Sequence, residues 1–180
     1  MSIHRSRPTR RTLTVSVAAA LALGVALPAV ANPTTATVEI TGGFLSISAP
    51  TDAGSLGTTV NTVLGSTISG PLGQVQVNDA RSAAAGSSWV ASVISTAFTP
   101  TAGTAIAASA VGYTVHDIVK VGTATYTAND PADLTGVSPA VTATGITGDN
   151  SATWTPTINV AVPGGMAASV YSATITHSVL

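Results

Sequence analysis

Two stretches near the carboxyl end alternate so strictly that they dictate their own secondary structure. From Trp154 to Val162 the even positions are Trp154, Pro156, Ile158, Val160 and Val162, and the odd ones are Thr155, Thr157, Asn159 and Ala161. From Tyr171 to Val179 the odd positions carry Tyr171, Ala173, Ile175, His177 and Val179, against Ser172, Thr174, Thr176 and Ser178. Successive side chains on a strand point to opposite faces, so each stretch predicts a strand with one buried and one wet face. Pro163-Gly164-Gly165 between them supplies turn chemistry, and the pair is expected to form a hairpin or near-hairpin.

The rest of the chain reads the same way, less sharply. Thr, Val, Ala, Gly and Ser dominate, and Gly or Pro interrupts the sequence every ten residues or so, the pattern of a sandwich or barrel. In Thr37 to Ser48, Val38 and Ile40 are out of phase with Leu45 and Ile47, and Gly42-Gly43 between them marks a bulge or tight turn. Val75 and Val77 face inward between Gln74, Gln76 and Asn78, and Trp89–Phe98, Ala110–Val115, Val119–Thr127 and Val137–Thr142 complete about seven to nine strands. The fold class expected is all-β, an immunoglobulin-like β-sandwich. Residues 52–70, rich in Gly, Ser and Thr, are expected to be a loop or excursion, and no fixed-period repeat is present.

The first 31 residues have the three parts of an export signal. Arg5, Arg7, Arg10 and Arg11 form a basic head, Leu13 to Leu27 an apolar run, and Ala29-Val30-Ala31 a cleavage site. Residues 32–180 are then a single secreted domain, with no later stretch of the roughly 20 apolar residues that a membrane span needs. Its two basic residues, Arg81 and Lys120, stand against seven acidic ones, a net charge of −5. Such a surface cannot neutralise a row of phosphates, which argues against nucleic acid as a partner. With no cysteine in the chain, the fold must hold outside the cell by burial alone.

The stretches "YSATITHSV" (171–179) and "VNDARSAAAGSSWVASV" (77–93) resemble the landmarks of the WxL domain of Gram-positive surface proteins, in particular the single-domain secreted versions of actinobacteria. "YSATITHSV" follows Y-x-x-x-L-T-W-x-L with Tyr171, Ile175 and Thr176 in place, His177 where the family has tryptophan, and Val179 where it has leucine. "VNDARSAAAGSSWVASV" looks like the V-x-D-x-R turn that leads into a strand opened by tryptophan, with Val77, Asp79, Arg81 and Trp89 fitting. "ITGGFLSISAP" and "ATWTPTINVAVPGG" are similar to the first and penultimate strands of such domains. The resemblance implies a non-catalytic module that stays at the cell exterior by binding peptidoglycan without covalent attachment. The sequence shows neither a sorting motif nor an anchor helix, so wall retention is expected to come from the folded domain.

The candidate ligand face is therefore Trp89 with Asp79 and Arg81. An exposed indole would stack on a sugar ring, while burial in the core is the plainer reading of Trp89. Asp79 and Arg81 either bracket a ligand or form an ion pair that fixes the turn. His177 shares the apolar phase of its strand and reads as a satisfied inward histidine rather than a ligand or pH switch.

Enzymatic readings find no footing. Beyond the leader there are two histidines, one glutamate and no cysteine, which excludes paired-glutamate and thiol catalysis. No G-x-S-x-G elbow or H-E-x-x-H spacing occurs. Asn129, Asp130 and Asp133, with Asp149 and Asn150, invite a weak calcium site, but turn formation explains them with less, and neither metal nor cofactor is expected. The second functional expectation is a secreted subunit or adhesin that pairs with other surface proteins through sparsely charged strand edges.

Overall fold

The computed structural model describes residues 36–180; the export signal expected over 1–31 lies outside the described residues. The described chain is all-β, with ten strands and a single 3₁₀ turn, Ala108–Ala110. The strands are β1 (Leu45–Ser48), β2 (Ser66–Pro71), β3 (Val75–Ser95), β4 (Thr99–Pro100) and β5 (Val111–Thr114). They continue with β6 (Val119–Ala128), β7 (Ser138–Trp154), β8 (Thr157–Val162), β9 (Tyr171–Ser172) and β10 (Ile175–Val179). One antiparallel sheet runs β1-β3-β7-β6, a second runs β2-β8-β5, and β4 pairs β9. In the first sheet β7 covers one edge of β3, while β1 and β10 share the other, β1 against Gln76–Asp79 and β10 against Ala91–Ser95. The two larger sheets share one apolar core, with Val75, Val77, Val93, Val141 and Trp154 from the first and Ile158, Val160, Val111 and Tyr113 from the second.

Both strict alternations take the faces expected of them, with Trp154, Pro156, Ile158, Val160 and Val162 all buried. The hairpin between them does not form. β8 pairs β2 and β5 in one sheet, and β10 pairs β3 in the other. Alternation fixes which face of a strand is buried and says nothing about which neighbour covers its edge. The connector 163–170 is long enough to cross the roughly 10 Å between packed sheets. Within the first stretch the chain also changes sheet: β7 ends at Trp154, and β8 begins at Thr157 beyond Pro156, which has no N–H for a ladder.

Two further boundaries differ from expectation. Ser66–Pro71, all but its last residue placed in the 52–70 loop, is strand β2 and pairs β8 along its whole length; its Ser and Gly content hid an alternation carried by Ile68 and Gly70 alone. The strands expected around Val75–Val77 and Trp89–Phe98 are one 21-residue strand, β3. Its register against β7 slips between Asp79 and Trp89, so the V-x-D-x-R segment is a bulged bend inside a strand. β6 slips against β7 at the same level, between Val121 and Thr125. There Gly122 has φ +87°, and a Cβ would run into the carbonyl oxygen of Asp149. We expect Gly122→Ala to lower unfolding free energy by about 1–3 kcal/mol in chemical denaturation, and an unchanged midpoint would show that the bulge is not held at this residue.

Candidate functional site

Register alone brings the three candidate residues together. Asp79 continues the inward phase of Val75 and Val77, so its carboxylate is delivered into the core and is fully buried. A charge there must be paired and hydrogen-bonded. Arg81 turns back over the bend, donating from Nε to Asp79 Oδ1 at 2.8 Å and from Nη2 to Oδ2 at 2.9 Å. Its own backbone N–H donates to Oδ1 at 3.2 Å. Asn150, directly opposite Asp79 on β7, completes the shell by donating Nδ2 to Asp79 Oδ2 at 3.0 Å. The Arg81 hydrogen bonds hold the carboxyl below the usual carboxylate range, against the opposing effect of burial.

Trp89 closes the same network from the other side of the bulge. Its Nε1 donates to Asn150 Oδ1 at 3.0 Å, and Tyr126 Oη donates to the same oxygen at 3.2 Å. Trp89 on β3 and Tyr126 on β6 both face Ala143 of the intervening β7. The small alanine lets the two rings lean together across it, with centroids 5.8 Å apart and planes tilted by 57°. Lys120 Nζ lies 5.8 Å from the Tyr126 ring centroid. Trp89 is 1% exposed, which puts the indole in the core and leaves no ring face for a sugar. Arg81, with its side chain 37% exposed, is the member of the network that meets solvent.

The carboxyl-terminal motif builds a second arrangement. Ile175 and His177 sit on the inner face of β10, while Thr176 is exposed on the outer face, and Tyr171 donates its hydroxyl to the Ala167 carbonyl at 2.9 Å. His177 Nε2 lies 3.1 Å from Tyr113 Oη, which accepts the Trp154 indole N–H at 2.8 Å. This file of three polar groups crosses from β7 to β5 and back to β10. It ends at a cleft of about 1060 Å³ between β2, β8 and β10, walled by residues 50–61 and 166–174. Burial pushes the His177 pKa down to about 4. An imidazole harder to protonate folded than unfolded loses stability as pH falls from the unfolded value, about 6.5, toward 4. The parent should therefore lose on the order of 2 kcal/mol across that window, after allowance for the ring's partial solvent contact. His177→Phe should lack the histidine part of this slope, as read by denaturant midpoints at stepped pH.

The Asx-rich loops hold backbone. Asp130 Oδ1 accepts from Val115 N at 2.7 Å, Asp133 Oδ1 from Thr135 N at 2.8 Å, and Asp149 Oδ1 from Ser82 N at 2.8 Å. His116 Nε2 lies 2.8 Å from Thr157 Oγ1. Sequence reasoning singled out Asp79, Arg81, Trp89 and His177, named Asn150 only as a turn or weak calcium residue, and missed Tyr126 and Tyr113. The signal available for Asn150 was its place in the inward phase of Ala152 and Trp154. Comparison with protein-family models, with curated proteins and with solved structures finds no match.

Proposed function

We propose that the chain is an exported, non-catalytic surface protein with an immunoglobulin-like sandwich fold, acting through its strand edges on other surface proteins. The observation that carries this reading is β6. It ends the larger sheet with its outer edge unpaired among the described residues, and Val119 and Val121 are 68% and 63% exposed there. Lys120 is its single charge. An edge so lightly defended is a template for strand addition. Phe44, ahead of β1, adds a further large apolar side chain at the surface, 83% exposed. Sedimentation across a concentration series should show association that Val119→Lys/Val121→Lys weakens by tenfold or more. A parent monomeric up to millimolar concentration would remove the support.

Peptidoglycan association, implied by the WxL-like motifs, draws nothing from Trp89, whose indole is committed internally. Cosedimentation with protein-free sacculi tests it independently of the edge. Saturable pelleting that survives the Val119→Lys/Val121→Lys change would place wall binding ahead of strand pairing.

A further inference from the structure

The file Trp154–Tyr113–His177 has a direction. An indole N–H can only donate, so Tyr113 Oη accepts from Trp154. Tyr113 is 1% exposed, and its own hydrogen is matched by His177 Nε2, the other polar atom within reach. Nε2 is then an acceptor, and the imidazole proton sits on Nδ1. Among the described residues Nδ1 has no hydrogen-bond partner, nor is it among the buried polar atoms left unpaired. It belongs to a ring that lines the cleft. Protonating the ring would set two N–H groups against the Tyr113 oxygen and leave the phenolic hydrogen unmatched in the core. The arrangement keeps His177 as an uncharged donor.

We infer that this cleft binds an uncharged amphiphile, an apolar chain carrying an acceptor oxygen that takes the hydrogen bond of His177 Nδ1–H. Ile68, Leu72, Phe98, Val160 and Ile175 supply the apolar lining, and the volume of about 1060 Å³ is at the upper end for a small-molecule site. The one charged residue in the lining is Asp52, on the exposed loop, with Oδ1 accepting from Gly54 N at 2.8 Å. Its negative charge, and the lack of a cationic group in the lining, select against carboxylates and in favour of alcohols, ethers and esters. The walls are tied by Asn61, which donates Nδ2 to the Met166 carbonyl at 2.8 Å while its Oδ1 is enclosed without a partner. The loop therefore has a hydrogen bond to gain by resettling around an occupant.

The test titrates the purified protein with 1-decanol, decane and decanoate while following the ¹⁵N resonances of His177. Decanol should bind saturably and shift Nδ1 while Nε2 keeps its acceptor character, with decanoate at least tenfold weaker. His177→Phe, which keeps a ring in place, should weaken decanol about 3- to 10-fold and leave decane unchanged. The Nδ1 reading is made on the parent, so it stands even if the variant folds poorly. No saturable decanol binding, a silent Nδ1, or decanoate binding as tightly as decanol would each overturn the inference.

Discussion

Trp89→Ala is expected to lower the unfolding free energy by about 4 kcal/mol. Truncating a buried tryptophan to alanine costs roughly 3–5 kcal/mol through lost transfer energy and the cavity left behind. Trp89 is 1% exposed and also holds Tyr126 in a tilted ring pair across Ala143. A whole domain is stable by about 5–15 kcal/mol, so the melting temperature should fall by about 10 °C or more. Trp89→Phe separates packing from polarity. It keeps a ring against Tyr126 and removes the indole N–H from Asn150 Oδ1, which still accepts from Tyr126 Oη. Its loss should be about 1–2 kcal/mol. Thermal and denaturant unfolding of the two variants decide the matter, and a Trp89→Ala protein within 1 kcal/mol of the parent would remove Trp89 from the core. Loss of wall binding in Trp89→Ala would likewise report a damaged core before it reported a lost contact.

Faces were legible in the sequence and partners were not, for one physical reason. Period-two alternation states which side of a strand is buried, and it named the inner faces of Trp154–Val162 and Tyr171–Val179 correctly. Edge pairing depends on where the connector leads, and 163–170 crosses to the other sheet instead of closing a hairpin. The bend at Asp79 was visible as a turn, yet the strand continues through it because β7 slips in register to keep pace. Trp89 admitted two readings because aromatic residues serve both cores and glycan sites; the inward phase it shares with Ala91 and Val93 settles the matter. Asn150 was read as a turn residue and Tyr113 escaped notice, because a single polar residue in an apolar phase acquires meaning only beside its partner. Asp79 meets Asn150 from 71 positions away in sequence, and Tyr113 meets His177 from 64.

That dependence on partners makes Arg81→Met the second large effect. The substitution preserves most of the stem and removes the two side-chain hydrogen bonds to Asp79, leaving a carboxylate fully buried with Asn150 and one backbone N–H. Breaking a buried pair costs about 3–5 kcal/mol. Because Arg81 is 37% exposed, the lower end applies, about 3 kcal/mol. The pH dependence shows whether charge is the cause. In the parent the Asp79 carboxyl is held below its usual range, chiefly by Arg81, so its contribution is full above the unfolded value, about 3.9, and is lost as pH falls through the folded one. In Arg81→Met the strongest stabiliser of the charged form is gone while burial remains, so the folded pKa rises. Acid then relieves the variant of its buried charge while it deprives the parent of its ion pair, and the stability gap between them should narrow below about pH 4. Asp79→Asn/Arg81→Met buries no charge and should be more stable at neutral pH than Arg81→Met alone, a non-additivity expected of groups in one network. A gap that stays constant with pH, together with strictly additive losses, would mean that Arg81 acts through packing of its stem and that the bend does not depend on the charge of Asp79.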